Sequence, residues 1–202
     1  MDDFEKLLAR YGKDSVYHAH IGTGELHIRP VLNLKDPADV ELFRTIGTET
    51  ALLVKKYRGS LSGEHGDGRL RGEFIPLILG EKNYRLLKEV KAAWDGENIL
   101  NPGKIVDTPL MNTSLRYTPG TVTPEIETIY DFSATDGIIR AAEKCNGSGD
   151  CRKSILIGGT MCPSFMATMD EENCTRARAN VLREFLSKDT HDRWDHREIY
   201  DI

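Results

Sequence analysis

Three of the six histidines, His18, His20 and His27, fall in one candidate hairpin. Alternation along a strand puts His18 and His20 on one face. A four-residue turn at 22–25 sets His20 opposite His27 on that face, with Cβ atoms roughly 5 Å apart. Two imidazoles at that distance can share one divalent cation if a carboxylate completes the site. The same spacing suits a hydrogen-bonded pair of sheet histidines, because no local spacing supplies a third ligand. A second loop, Ser62-Gly-Glu-His-Gly-Asp-Gly-Arg69, packs glycines around an acid, an imidazole and Arg69. Glycine allows positive φ and close backbone approach. A Glu–His pair offers a metal ligand and a general base side by side, and an ordinary polar turn is the plainer alternative. All four cysteines, Cys145, Cys151, Cys162 and Cys174, lie in the last third of the chain. Their thiolates suit iron–sulfur ligation or zinc. Against the ferredoxin run C-x2-C-x2-C-x3-C-P the pattern is incomplete, with Ser148 in the middle position and a long gap before Cys162-Pro163. Free thiols remain an alternative.

The elements that position these groups follow from periodicity. Phe4 to Tyr11 reads as a helix. Ser15 to Ile21 and Glu25 to Asn33 read as strands flanking Gly22-Thr23-Gly24. Asp36-Pro37 supplies an N-cap and a proline at the first helical position. Val40, Phe43, Ile46, Thr50 and Leu53 continue a helical stripe that Gly59 ends. A further helix is predicted from Glu81 to Trp94, with Leu86, Leu87, Val90 and Trp94 inward. Past the Thr- and Pro-rich stretch, Asp136 to Lys144 and Glu171 to Leu186 read as helices. The expected fold is α+β, with an antiparallel sheet covered on one side by the two longer body helices and then a mostly helical cysteine segment. The expected domains are 1–107, a linker or laid-down strap at 108–135, and 136–202.

Composition narrows the function classes. The 202 residues carry 27 Lys and Arg against 32 Asp and Glu, a net charge of −5. That argues against a general nucleic-acid binder. No apolar run approaches a membrane span, and MDDFEKLLAR lacks the apolar core of a signal peptide. A reducing, cytoplasmic setting is expected, with peripheral membrane association compatible with it. Cysteines there serve as metal ligands or buried thiols more often than in disulfides. Arg176, Arg178 and Arg183 read as a solvated or partner-facing stripe.

At this point the motifs meet a family. His20-Ile-Gly-Thr-Gly-Glu-Leu-His27 resembles the G-H-x-G-D-G-N-x-H element of FAD-linked oxidases of the vanillyl-alcohol-oxidase type. The Ser62–Arg69 loop resembles their S-G-E-H-G-x-G element. Ile99-Leu-Asn-Pro-Gly-Lys-Ile105 resembles the N-P-G-K signature that ends their C-terminal domain. Order and spacing agree over most of residues 15–106. The family includes D-lactate, glycolate and D-2-hydroxyglutarate dehydrogenases, which oxidise a 2-hydroxy acid to a 2-oxo acid and pass a hydride to FAD. The resemblance implies that His20, His27 and Glu64 hold a divalent metal, zinc or manganese, and that His65 is the base. It implies that Asn101, Gly103 and Lys104 lie near the flavin. Thr23 stands where the family has Asp, and Glu25 where it has Asn, so a carboxylate at 25 would repel a substrate carboxylate.

Cys145 to Arg178 resembles the fused iron–sulfur region of the large members, C-x5-C-R-K, then G-T-M-C-P-S-x-x-A-T-x-D-E, then T-R-x-R-A-N. The implied cofactor is an iron–sulfur cluster of the 4Fe-4S type. Cys145, Cys151 and Cys162 sit at family positions. Cys174 stands where the family is commonly polar, as a fourth ligand or a plain thiol. That branch tolerates the changes at 23 and 25. The family's flavin-binding domain precedes this region and is several times too large to fit here. The chain is therefore expected to be part of a longer or split oxidoreductase, to need a flavin-binding domain or subunit as partner, and to self-associate through exposed apolar surface. Its electron acceptor is unspecified. A non-catalytic subunit or assembly module is the alternative.

Overall fold

The structure, a computed structural model, describes residues 1–158 and 161–187. Among these the elements run α1 Asp2–Ala9, β1 Ser15–His20, β2 Glu25–Pro30, α2 Pro37–Lys56, α3 Ile75–Leu79, α4 Glu81–Trp94, α5 Ile138–Glu143, α6 Pro163–Thr168 and α7 Thr175–Ser187. The chain divides into two compact units, with the boundary between Thr121 and Val122. No helix among the described residues is long and apolar enough to cross a membrane.

The first unit is α+β, built around a two-stranded antiparallel sheet. In α1, Phe4, Leu7 and Leu8 recur at helical spacing and are buried. They pack with Ile46 of α2, and Tyr17 and Ile28 from one face of the sheet close this core. The helices that cover the sheet are therefore α1 and α2, not α2 and α4 as expected. Helix α2 begins where its caps say it should. The Asp36 carboxylate accepts from the Ala38 N–H at 2.9 Å, and Pro37 occupies the first turn. Lys55 and Lys56 in its last turn complement the helix dipole. A second core joins Ala51, Phe74 and Met111. The Glu73 carboxylate ties it together, accepting from the Met111 N–H at 2.9 Å and pairing with Arg44 at 3.1 Å. Met111, in the stretch read from sequence as a linker or a laid-down strap, thus packs on the body.

The region from α3 through α4 departs from expectation. Helix α3 was not foreseen, because Ile75-Pro-Leu-Ile-Leu79 is a short apolar run without a helical period. Helix α4 has the predicted ends but not the predicted orientation. Leu86, Val90 and Trp94 are exposed, Trp94 at 84%, and only Leu87 of that set is half-buried. The helix is real, but α4 packs on α3, and Leu87 is the member of the stripe that lines a cavity with Ile75, Ile78 and Leu79 there.

In the second unit, α5 packs on α7, and Ile139 is buried. Glu171 to Leu186 is not one helix. A short 3-10 turn, Glu171–Asn173, starts where the Asp170 carboxylate accepts from the Glu172 N–H. Cys174 is then extended, and α7 starts after it. Arg183 is buried at 6% exposure, with its guanidinium on Asn180 and Glu184, so the arginine stripe is not wholly solvated.

Candidate metal centre

The two faces of the sheet do different work. One carries Tyr17 and Ile28 into the core, and the other carries His18, His20, Glu25 and His27. The turn is Ile21–Gly24, one residue earlier than expected. A 3-10 turn at Ile21–Thr23 is closed by Gly24 at φ 71°. The register therefore pairs His18 with His27 and His20 with Glu25. The slip is by an even number of positions, so every side chain keeps its face. His20 and His27 meet diagonally across the ladder, with ring centroids 4.9 Å apart.

The Ser62–Arg69 loop lies over this face. Glu64 Oε1 stands 3.7 Å from His20 Nε2 and 3.7 Å from His27 Nε2. Glu25 Oε1 stands 3.6 Å from His27 Nε2. One ligand atom from each of His20, Glu25, His27 and Glu64 lies within 4.8 Å of all the others. Two imidazole nitrogens and two carboxylate oxygens so gathered form a donor set that suits zinc or manganese. His65 adjoins it, with Nε2 3.0 Å from Glu64 Oε1 and its ring 5.8 Å from that of His27.

Glycines shape the loop where a side chain could not go. Gly66 and Gly68 take φ of 73° and 55°. A Cβ on Gly63 would lie 2.4 Å from Glu25 Cδ. Arg71 braces the turn from within, donating to the Gly66 carbonyl at 2.6 Å. Burial pushes the Asp67 carboxyl up, and the Arg71 guanidinium 3.8 Å away opposes that rise.

Asn101, Gly103 and Lys104 lie on the turn after α4. Asn101 and Gly103 have positive φ, 53° and 69°. The turn is tied to the same loop, because the Ile105 N–H donates to the Gly68 carbonyl at 3.0 Å. Behind it is a cavity of about 130 Å³ lined by residues including Asp67, Leu87 and Ile105. That is below the roughly 300–1,000 Å³ of ligand pockets.

The cysteines lie in the second unit. Cys162, Cys174 and Phe165 form a small core against which Cys151 packs. Cys145 is half-exposed and outside that core. Cys162 precedes α6, and the Phe165 N–H, followed by Thr175 and Ser164, lowers its thiol to about 7 against the opposing effect of burial. Cys174 Sγ accepts from the Ala177 N–H at 3.4 Å at the start of α7.

Sequence reasoning expected His20, His27, Glu64 and His65 together and left Glu25 out of the gathered donors. The signal was there, since a period of two puts Glu25 on the face of His27. Gly63 left no comparable signal.

The sequence pattern of FAD linked oxidases, C-terminal domain, matches residues 1–105. The chain is 38% identical over 186 residues to the D-2-hydroxyglutarate dehydrogenase of Pseudomonas putida, covering 91% of this chain and 18% of that protein. It is 35% identical over 189 residues to the enzyme of that name from Escherichia coli, again 91% and 18%. A D-lactate dehydrogenase of Archaeoglobus fulgidus is 30% identical over 101 residues, half of this chain and 22% of that protein. The chain thus spans about a fifth of the length of the curated relatives it matches. No solved structure matches it.

Proposed function

Because this chain belongs to the family of FAD-linked oxidases, through their C-terminal domain, we propose that it forms the substrate side of an FAD-dependent dehydrogenase. The enzyme oxidises a 2-hydroxy acid to the 2-oxo acid, as the names of the relatives suggest for the D-2-hydroxyglutarate and D-lactate class. The observation that carries this reading is the convergence of His20, His27 and Glu64, from a hairpin and a separate loop, beside His65.

His20, His27 and Glu64 would hold a divalent cation. When bound, that cation polarises a substrate hydroxyl and lowers its pKa. His65 takes the hydroxyl proton. A proton on its Nε2 faces the Glu64 carboxylate at 3.0 Å, which leaves Nδ1 as the free base. The ring is largely exposed and so open to substrate. Asn101, Gly103 and Lys104 would present their backbone turn to a flavin held elsewhere. The flavin, when bound, accepts the hydride.

The reading includes an onward electron path. Cys151, Cys162 and Cys174 are already packed together, and Cys145 is the fourth candidate ligand of an iron–sulfur cluster. The Phe165 N–H at Cys162 favours the thiolate that such a cluster requires. Iron and acid-labile sulfide, assayed on anaerobically prepared protein, test this part alone.

The experiment for the main reading is His65→Asn, assayed with a dye acceptor in a preparation that holds flavin. The amide keeps a hydrogen bond but is no base, so kcat falls by roughly 100-fold or more, with metal and FAD retained. A kcat within about threefold of wild type excludes the role, since general-base catalysis is worth far more.

A further inference from the structure

We propose that Glu25 is the fourth protein ligand of the centre, so that a cation on His20, His27 and Glu64 is coordinatively closed by this chain. The proposal rests on the metal reading above and adds a residue to it. Glu25 stands directly opposite His20 in the ladder, and its Oε1 lies 3.6 Å from His27 Nε2. Its carboxylate also lies within 4.8 Å of the Glu64 carboxylate and of a His20 nitrogen.

Three observations point to a cation between these groups. First, the Glu25 side chain is only 11% exposed. A carboxylate this largely withdrawn from water is favoured by donors or a counter-charge. Among the described residues no hydrogen-bond donor reaches it, and the contact it has is the His27 imidazole. Second, two carboxylates facing each other at this range repel unless a positive charge sits between them. Third, the loop leaves room for this arrangement. Position 63 is glycine, and any Cβ there would overlap the Glu25 carboxylate carbon at 2.4 Å.

The charge count gives the consequence. Two neutral imidazoles and one carboxylate leave a divalent cation with a net positive charge that attracts an anionic substrate. A second carboxylate cancels it. Four protein donors also complete the tetrahedral set that zinc takes in closed sites, whereas catalytic zinc keeps a position open. An incoming 2-hydroxy acid therefore meets a neutral, filled centre. It must displace Glu25 or enter as a fifth ligand. Glu25 is thus the residue that decides how readily the centre accepts an anion.

The test titrates the full chain with Co(II), whose visible absorption reports both binding and coordination. Wild type is expected to bind Co(II) with a band that azide leaves unchanged. Glu25→Gln, close in size but uncharged, is expected to bind at least about 10-fold more weakly and to show a band that azide shifts. Glu25→Asn is measured beside it, with circular dichroism on both, so that misfolding of one variant does not stand for loss of a ligand. Equal affinity and equal azide response in wild type and both variants overturn Glu25 as a ligand and leave the three-residue centre standing. An azide-responsive wild type overturns the closure. A wild type that takes up no Co(II), or a His27→Ala variant that binds it as well as wild type, overturns the metal reading and this proposal together.

Discussion

At the scale of single residues, Glu25 and Gly63 form a coupled pair. Gly63 has no side chain to offer the centre, yet the place a side chain would take is where the Glu25 carboxylate sits. Gly63→Ala should therefore act on metal affinity through Glu25. We expect Gly63→Ala to weaken Co(II) binding in a chain that carries Glu25 and to add little further loss in the Glu25→Gln background. A double-mutant cycle with coupling of roughly 0.5–3 kcal/mol reads this out; additive losses would show that the two positions act separately. His20 and His27 were legible from residue type and spacing because parity along a strand survives an even register slip. The pairing itself was not, because a 3-10 turn at Ile21–Thr23 closed by Gly24 is a choice of backbone that residue spacing does not encode. Glu25 stood on the right face but read as a departure from a motif, since whether a carboxylate faces a ligand depends on a loop nearly forty residues away.

At the scale of elements, α1 and α4 look alike in sequence and behave differently. Both carry apolar residues at helical spacing. In α1 that face is buried with Ile46, whereas in α4 it faces solvent. Phe4→Ala should cost about 3–5 kcal/mol in denaturant unfolding, and Val90→Lys less than about 0.5 kcal/mol. A large loss in Val90→Lys would mean that the α4 stripe is covered after all. Periodicity gave the ends of α4 correctly but names a stripe, not what meets it. Its C-terminal end also makes a pH prediction. Lys91, and then the N–H groups of Ile99 and Leu100, hold the Asp95 carboxyl below the ordinary carboxylate range. A carboxyl with a lowered folded value contributes stability above its unfolded value, about 3.9, and loses it as pH falls through the folded one. Asp95→Asn should therefore lower Tm at neutral pH. The gap from wild type should narrow as pH falls below about 4. A gap that is constant with pH would show that packing, not charge, is what Asp95 supplies. The break at Cys174 belongs here too. An apolar period runs on through Glu171 to Leu186, and nothing in it signals that Cys174 is extended, with its thiol placed at a helix start.

At the scale of the whole molecule, the chain passes between its two units through a stretch with no helix or strand, in which Glu125 and Glu127 are exposed. Brief digestion with a glutamate-specific protease should cut there first. The N-terminal piece should keep its far-UV circular dichroism, because both cores of the first unit lie before the cut. Early cutting inside α2 or α4 instead would contradict this division. The solvent-facing side of α4 has a practical consequence for each of these assays. Leu86, Val90 and Trp94 repeat along one side of a folded helix, and Ile99 and Leu100 follow it in the open. Dyes that brighten on apolar surface will bind the native chain as they bind a molten globule. A dye-based melting curve will begin bright and show little rise, and a screen built on it would score this chain as unfolded before heating begins. Calorimetry or circular dichroism will see the transition, and the emission of Trp94, already in water, will move little through it.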